Sequence, residues 1–108
     1  MEVIEREELK EKLKRGDDFK LVMTMTVWAY EAAHIPGSIN ISRPSQVTDH
    51  LSPDDEIVVY CTNPSCIASI YAYEALHKAG YKKLRRYSGG IQDWVESGEP
   101  FEGTTAEK

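Results

Sequence analysis

Short apolar runs recur along the chain, each bounded by charged or turn-forming residues, and amphipathic stretches lie between them. Lys20-Leu21-Val22-Met23, inside the short apolar stretch of residues 19–24, and the β-branched and aromatic run Ile57-Val58-Val59-Tyr60 read as buried strands. Ile39-Asn40-Ile41 alternates like a brief strand after the turn-forming His34-Ile35-Pro36-Gly37-Ser38, and residues 81–87 predict another. Residues 5–15 place Leu9 and Leu13 at helical spacing among Glu and Lys and end at Gly16, which predicts an amphipathic surface helix. Residues 27–33 predict one or two helical turns, with Trp28 and Tyr30 covering the core. Arg43-Pro44-Ser45 opens a possible helix over residues 46–51, with Ser45 as N-cap. Residues 67–79 form the longest helical segment, closed by Gly80 as a left-handed cap. Residues 91–97 predict a last helix that buries Trp94 and Val95 and ends at Gly98. Strands alternating with helices across short connections, with no internal repeat or linker, define one α/β domain: a mostly parallel sheet with helices on both faces.

Composition narrows the function classes. A chain of 108 residues has room for one modest core, and 41% hydrophobic content with two Trp and six Tyr is that of a folded protein. The expected domain is residues 1–102, with residues 103–108 a disordered tail. A net charge of −5 argues against nucleic acid as a partner. Lys82, Lys83, Arg85 and Arg86 form a small basic group, expected to be solvent-facing positions around one short strand. No run is long enough to span a membrane, and Met1-Glu2-Val3-Ile4-Glu5-Arg6 lacks the basic start and apolar middle of an export signal, so the expected location is cytoplasmic with no membrane contact. In that setting two cysteines five positions apart are not expected to be a structural staple, and their closeness points to chemistry or to nothing.

Cys61 ends the apolar run at residues 57–60, and Thr62-Asn63-Pro64-Ser65 turns the chain toward the long helix. A thiol at such an elbow sits close to unpaired helix N–H groups and the positive end of the macrodipole, which stabilise a thiolate or an anionic adduct. The alternative is a buried cysteine acting as a small hydrophobe. Cys66 either lies in the first helical turn, if Asn63 caps a helix starting near Pro64, or meets Cys61 as a second thiol. No metal site is expected, because no histidine lies near this pair; no cofactor is expected either. His34 suits a structural hydrogen bond better than general-base work, and His50 and His77 read as surface or cap residues.

Four segments together resemble a rhodanese-like domain: residues 30–40, Tyr-Glu-Ala-Ala-His-Ile-Pro-Gly-Ser-Ile-Asn; residues 57–61, Ile-Val-Val-Tyr-Cys; Leu76 through Gly80-Tyr81; and residues 88–94, Ser-Gly-Gly-Ile-Gln-Asp-Trp, with Gly98-Glu99-Pro100. The resemblance runs from about Ile4 to Glu102. It implies a central, mostly parallel five-stranded sheet and a sulfurtransferase activity in which Cys61, as catalytic nucleophile, carries sulfane sulfur as a persulfide. The backbone of Thr62, Asn63, Ser65, Cys66 and Ile67 would form an anion cradle around that sulfur. The implied partners are a small sulfur donor, such as a polysulfide, thiosulfate or a persulfide, and a thiol or cyanide acceptor, the thiol carried on a small molecule or a protein.

The chain departs from the family pattern at two places. Met23 and Met25 stand where an Asp and an Arg usually tie the loop before the second helix, so packing is expected to hold residues 22–26. Cys66 stands where the active-site loop often has an Arg, and no Lys or Arg lies between Cys61 and Ile67. A doubly charged donor would then gain no charge-assisted bond from the loop, so weak thiosulfate turnover is expected. Two alternatives stay open: a thiol redox domain in which Cys66 resolves Cys61 as a disulfide, and a non-catalytic module that docks to another protein. Phosphoryl transfer on the same loop would want the missing Arg.

Overall fold

A computed structural model describes residues 1–43, 46, 49, 51–63 and 65–104. The expected helix over 46–51 and its Ser45 cap, the placement of His50, Pro64, and most of the C-terminal tail lie outside the described residues.

Four parallel strands make one sheet in the order β2-β1-β3-β4: β1 Lys20–Met23, β2 Ile39–Asn40, β3 Ile57–Tyr60 and β4 Leu84–Tyr87. The helices are α1 Arg6–Arg15, α2 Val27–Ala32, α3 Ala68–Lys78 and α4 Gly90–Glu96. The family's fifth strand is not among the described residues. Beside β4 the N-terminal segment makes a single parallel bridge, Val3 to Arg86, with Ile4 N–H donating to the Arg86 carbonyl and Arg86 N–H to that of Glu2. The chain then turns into helix α1 at Arg6, two residues after Ile4. Strand β4 is also shorter than the expected 81–87, starting at Leu84.

The period-two alternation of strand side chains sorts the core into two layers. Leu21, Met23, Val58, Tyr60 and Tyr87 face Leu9 of α1 and Trp94 of α4. Val22, Ile57, Val59 and Leu84 face Ala72 and Leu76 of α3. All of β3 is buried, as a central parallel strand must be. Trp28 departs from expectation: it is 81% exposed, because α2 is a six-residue helix whose inward contact is made by Tyr30 instead. No helix among the described residues is long and apolar enough to cross a membrane.

Candidate active site

Cys61 follows β3 directly and is 1% exposed. In the next turn, Asn63 organises the loop: its Oδ1 accepts from the Ser65 N–H at 3.0 Å, and its carbonyl accepts from the Cys66 N–H at 3.0 Å. Its side-chain amide donates to Gln92 of α4 at 3.1 Å. Helix α3 starts only at Ala68, with Ile67 at its N-cap, so Cys66 lies in the loop and not in a first helical turn. That placement brings it to Cys61: the two sulfurs form a disulfide, with Cα atoms 6.4 Å apart.

Helix α4 holds the other side of the loop. The backbone N–H groups of Ile91 and Gln92 donate to the carbonyls of Cys61 and Thr62 at 2.8 and 2.9 Å. The approach is so close that a Cβ on Gly90 would stand 2.6 Å from the Thr62 carbonyl and closer still to that of Cys61, and Gly90 also has φ +67°. Gly90 is therefore a feature of the candidate site: only glycine lets α4 begin against the Cys61–Thr62 backbone.

Two residues that sequence reasoning did not assign complete the site. Ser69, in the first turn of α3, is fully buried with its Oγ 3.3 Å from Cys61 Sγ. Arg86 of β4 donates from Nε to Ser69 Oγ at 2.8 Å and from Nη2 to the Cys66 carbonyl at 3.4 Å. Since Ser69 accepts from the guanidinium, its own proton is free to turn toward the sulfur, which in the disulfide has none to give. Arg86 is only 7% exposed, so the expectation that all four basic residues of this stretch face solvent fails at Arg86. The reason is strand parity: Arg86 shares the Leu84 face, toward α3, whereas Arg85 points to the other face and pairs with Glu8 of α1. The loop lacks a cation in sequence, yet one stands a hydroxyl away from the sulfur in space.

The loop at residues 22–26 is held by more than packing. Asn40 of β2 donates its side-chain amide to the carbonyls of Met23 and Met25 at 3.1 and 2.8 Å. Thr24 donates its N–H and its hydroxyl to the Tyr60 carbonyl at 3.0 and 3.2 Å. Met25 Sδ then lies 3.4 Å from Cys66 Sγ, so the methionine at the departed position packs directly on the second cysteine.

Tyr60, just before Cys61, anchors the turn at residues 34–38. Its hydroxyl accepts from the Ile35 N–H at 3.0 Å and meets Ser38 Oγ at 2.9 Å. Burial pushes its phenol up to about 12. His34 stacks on Tyr30, meets its carbonyl through Nδ1 at 2.7 Å, and exchanges backbone hydrogen bonds with Glu102, which is the structural role expected of it. Among the described residues no group of three His, Cys, Asp or Glu side chains is placed to hold a metal ion.

The Rhodanese-like domain profile matches residues 5–97, and the chain belongs to that family. Among proteins of recorded function it is similar to the "Putative sulfur carrier protein YrkF" of Bacillus subtilis, 28% identical over 94 residues that are 85% of this chain and 50% of that protein. It is also similar to Thiosulfate sulfurtransferase 18 of Arabidopsis thaliana, 39% identical over 56 residues, 52% of this chain and 40% of that one. The chain spans about half the length of the curated relatives it matches. Among solved structures it superposes on the BH2092 protein of Bacillus halodurans with a TM-score of 0.86 and 26% identity, covering 96% of this chain and 78% of that one.

Proposed function

We propose that this domain is a sulfurtransferase in which Cys61 accepts sulfane sulfur as a persulfide and passes it to a thiol or cyanide acceptor. The observation that carries the proposal is the convergence on one sulfur of three anion-stabilising elements: the start of α3, the Ser69 hydroxyl and, behind it, the Arg86 guanidinium. A thiolate at Cys61 attacks the outer sulfur of the donor, R-SO2-S⁻ or a polysulfide, keeps that sulfur and releases the sulfinate or the shortened polysulfide. The loop backbone from Thr62 to Ile67 cradles the adduct. In the disulfide state the Ser65 and Cys66 amides are engaged with Asn63, so full cradling needs the loop to relax once Cys66 is released.

Arg86 acts through Ser69 and the Cys66 carbonyl and not from within the loop, which favours a singly charged donor over thiosulfate. The Cys61–Cys66 bond favours a second reading, a thiol redox domain that reports oxidation without carrying sulfur. Intact mass and peptide mapping of a reduced Cys66→Ser protein, after exposure to polysulfide or thiosulfate, separates the two. Gain of one sulfur on Cys61, abolished by Cys61→Ser, supports the transferase; no gain with either donor removes it and leaves the redox domain and the docking module.

A further inference from the structure

We propose that Cys66 resolves the persulfide inside the domain, so that the site reduces sulfane sulfur to sulfide as well as transferring it. The inference rests on Cys61 as the persulfide carrier. In the step, the Cys66 thiol attacks Cys61 Sγ and the Cys61–S bond to the outer sulfur breaks. That bond's electron pair leaves on the outer sulfur, which takes up the Cys66 proton and departs as hydrosulfide. The balance is Cys61-S-S⁻ + Cys66-SH → Cys61-S-S-Cys66 + HS⁻. The sulfane sulfur is reduced, the two cysteines are oxidised, and an external dithiol reopens the disulfide for the next cycle by thiol exchange.

The geometry selects this step over its competitor. A resolving thiol can attack either sulfur of a persulfide: the outer one, which moves the persulfide to the second cysteine, or the inner one, which expels sulfide. Cys66 Sγ is bonded to Cys61 Sγ itself, the inner atom, and the Cα separation of 6.4 Å lies within the range a disulfide spans. The loop presents Cys66 there by design. The Asn63 hydrogen bonds to Ser65 and Cys66, and the Arg86 contact to the Cys66 carbonyl, fix the backbone short of the helix. Met25 Sδ lies 3.4 Å from Cys66 Sγ and so occupies part of the space from which another thiol would approach it. The Ser69 hydroxyl beside Cys61 Sγ stabilises negative charge building on the sulfurs as the bond breaks.

The test uses reduced protein under anaerobic conditions with an aryl thiosulfonate, a singly charged donor that yields sulfinate and no sulfide of its own. Wild type is expected to release one sulfinate and one sulfide per domain, lose two hydrogens in mass with Cys61 and Cys66 cross-linked, and stop until a dithiol is added. Cys66→Ser is expected to release sulfinate, keep the extra sulfur on Cys61 and release no sulfide. A wild-type protein that retains its added sulfur as Cys66→Ser does, with no sulfide, overturns the inference while leaving the carrier reading intact. Absence of sulfinate from both proteins removes the carrier reading and this step with it.

Discussion

At the scale of single residues, the site turns on a side chain that its own sequence neighbourhood conceals. In Lys82-Lys83-Leu84-Arg85-Arg86 the four cations look alike, and only alternation from the buried Leu84 distinguishes Arg86, which shares its face, from Arg85, which does not. Ser69 was hidden in the same way, as one polar residue inside a helix whose apolar positions carry the pattern. The placement of Cys61 was legible because an apolar run followed by a turn and a helical segment puts it at a strand end ahead of a helix. The missing loop cation was legible as an absence, but its replacement comes from a strand 25 positions distant and needed the fold to reveal it. If the Arg86–Ser69 pair stabilises the Cys61 thiolate, removing the hydroxyl removes a hydrogen bond to a charged group worth about 1.5 kcal/mol, or about one pKa unit. In a Cys66→Ser background, Ser69→Ala is expected to move the pH midpoint of Cys61 alkylation upward by about that amount. An unmoved midpoint would mean the hydroxyl serves packing alone.

At the scale of elements, the two glycines near α4 show how one residue type serves different ends. Gly90 has φ +67° and sits against the Cys61 and Thr62 carbonyls, whereas Gly98, at φ +82°, has open space where a Cβ would go. Gly98→Ala therefore meets backbone strain alone, about 1 kcal/mol, and should leave sulfur loading of Cys61 unchanged. Gly90→Ala adds a clash with the active-site backbone and is expected to cost about 2 kcal/mol or more and to slow loading as well. Urea midpoints read with loading rates on both variants check this, and equal loading would detach α4 from the site. The strands and helices themselves were legible because buried parallel strands read as apolar runs and the helix stops carry glycine. Two things were not. In place of a fifth strand the described residues show one isolated bridge beside β4, Val3 to Arg86. The loop at residues 22–26 was expected to rely on packing because its usual ion pair is gone, while the tie comes from Asn40 two elements later. Asn40→Ala should cost about 1–2 kcal/mol by stranding the Met25 carbonyl, while that of Met23 keeps the Ile41 N–H, measured by the same urea titration.

At the scale of the whole molecule, the pH response follows from which groups the fold holds in one protonation state. Tyr87 and Arg6 both donate to the Asp93 carboxylate, which is thereby held below its ordinary range, so its contribution is present above the unfolded value near 3.8 and is lost as pH falls through the folded one. The alkaline side belongs to the tyrosines. Tyr60, Tyr81 and Tyr87 are all raised, each chiefly by burial, and Tyr60 is pushed up to about 12. A raised folded value means that stability is intact below pH 10, where folded and unfolded phenols are both neutral. Above it the unfolded chain ionises first and draws the equilibrium toward unfolding. Between pH 10 and 12 the Tyr60 phenol alone should remove about 1.4 kcal/mol per pH unit, an effect that strikes the site because its hydroxyl joins β3 to the turn at residues 34–38. Urea unfolding of wild type and Tyr60→Phe across pH 8 to 12 separates the contributions. The variant should start lower, because the Ile35 N–H loses its buried acceptor, and fall less steeply above pH 10 by one proton's worth of slope. Parallel slopes for the two proteins would place the alkaline transition on Tyr81 and Tyr87, and would make the Tyr60 hydroxyl a tie without a titration.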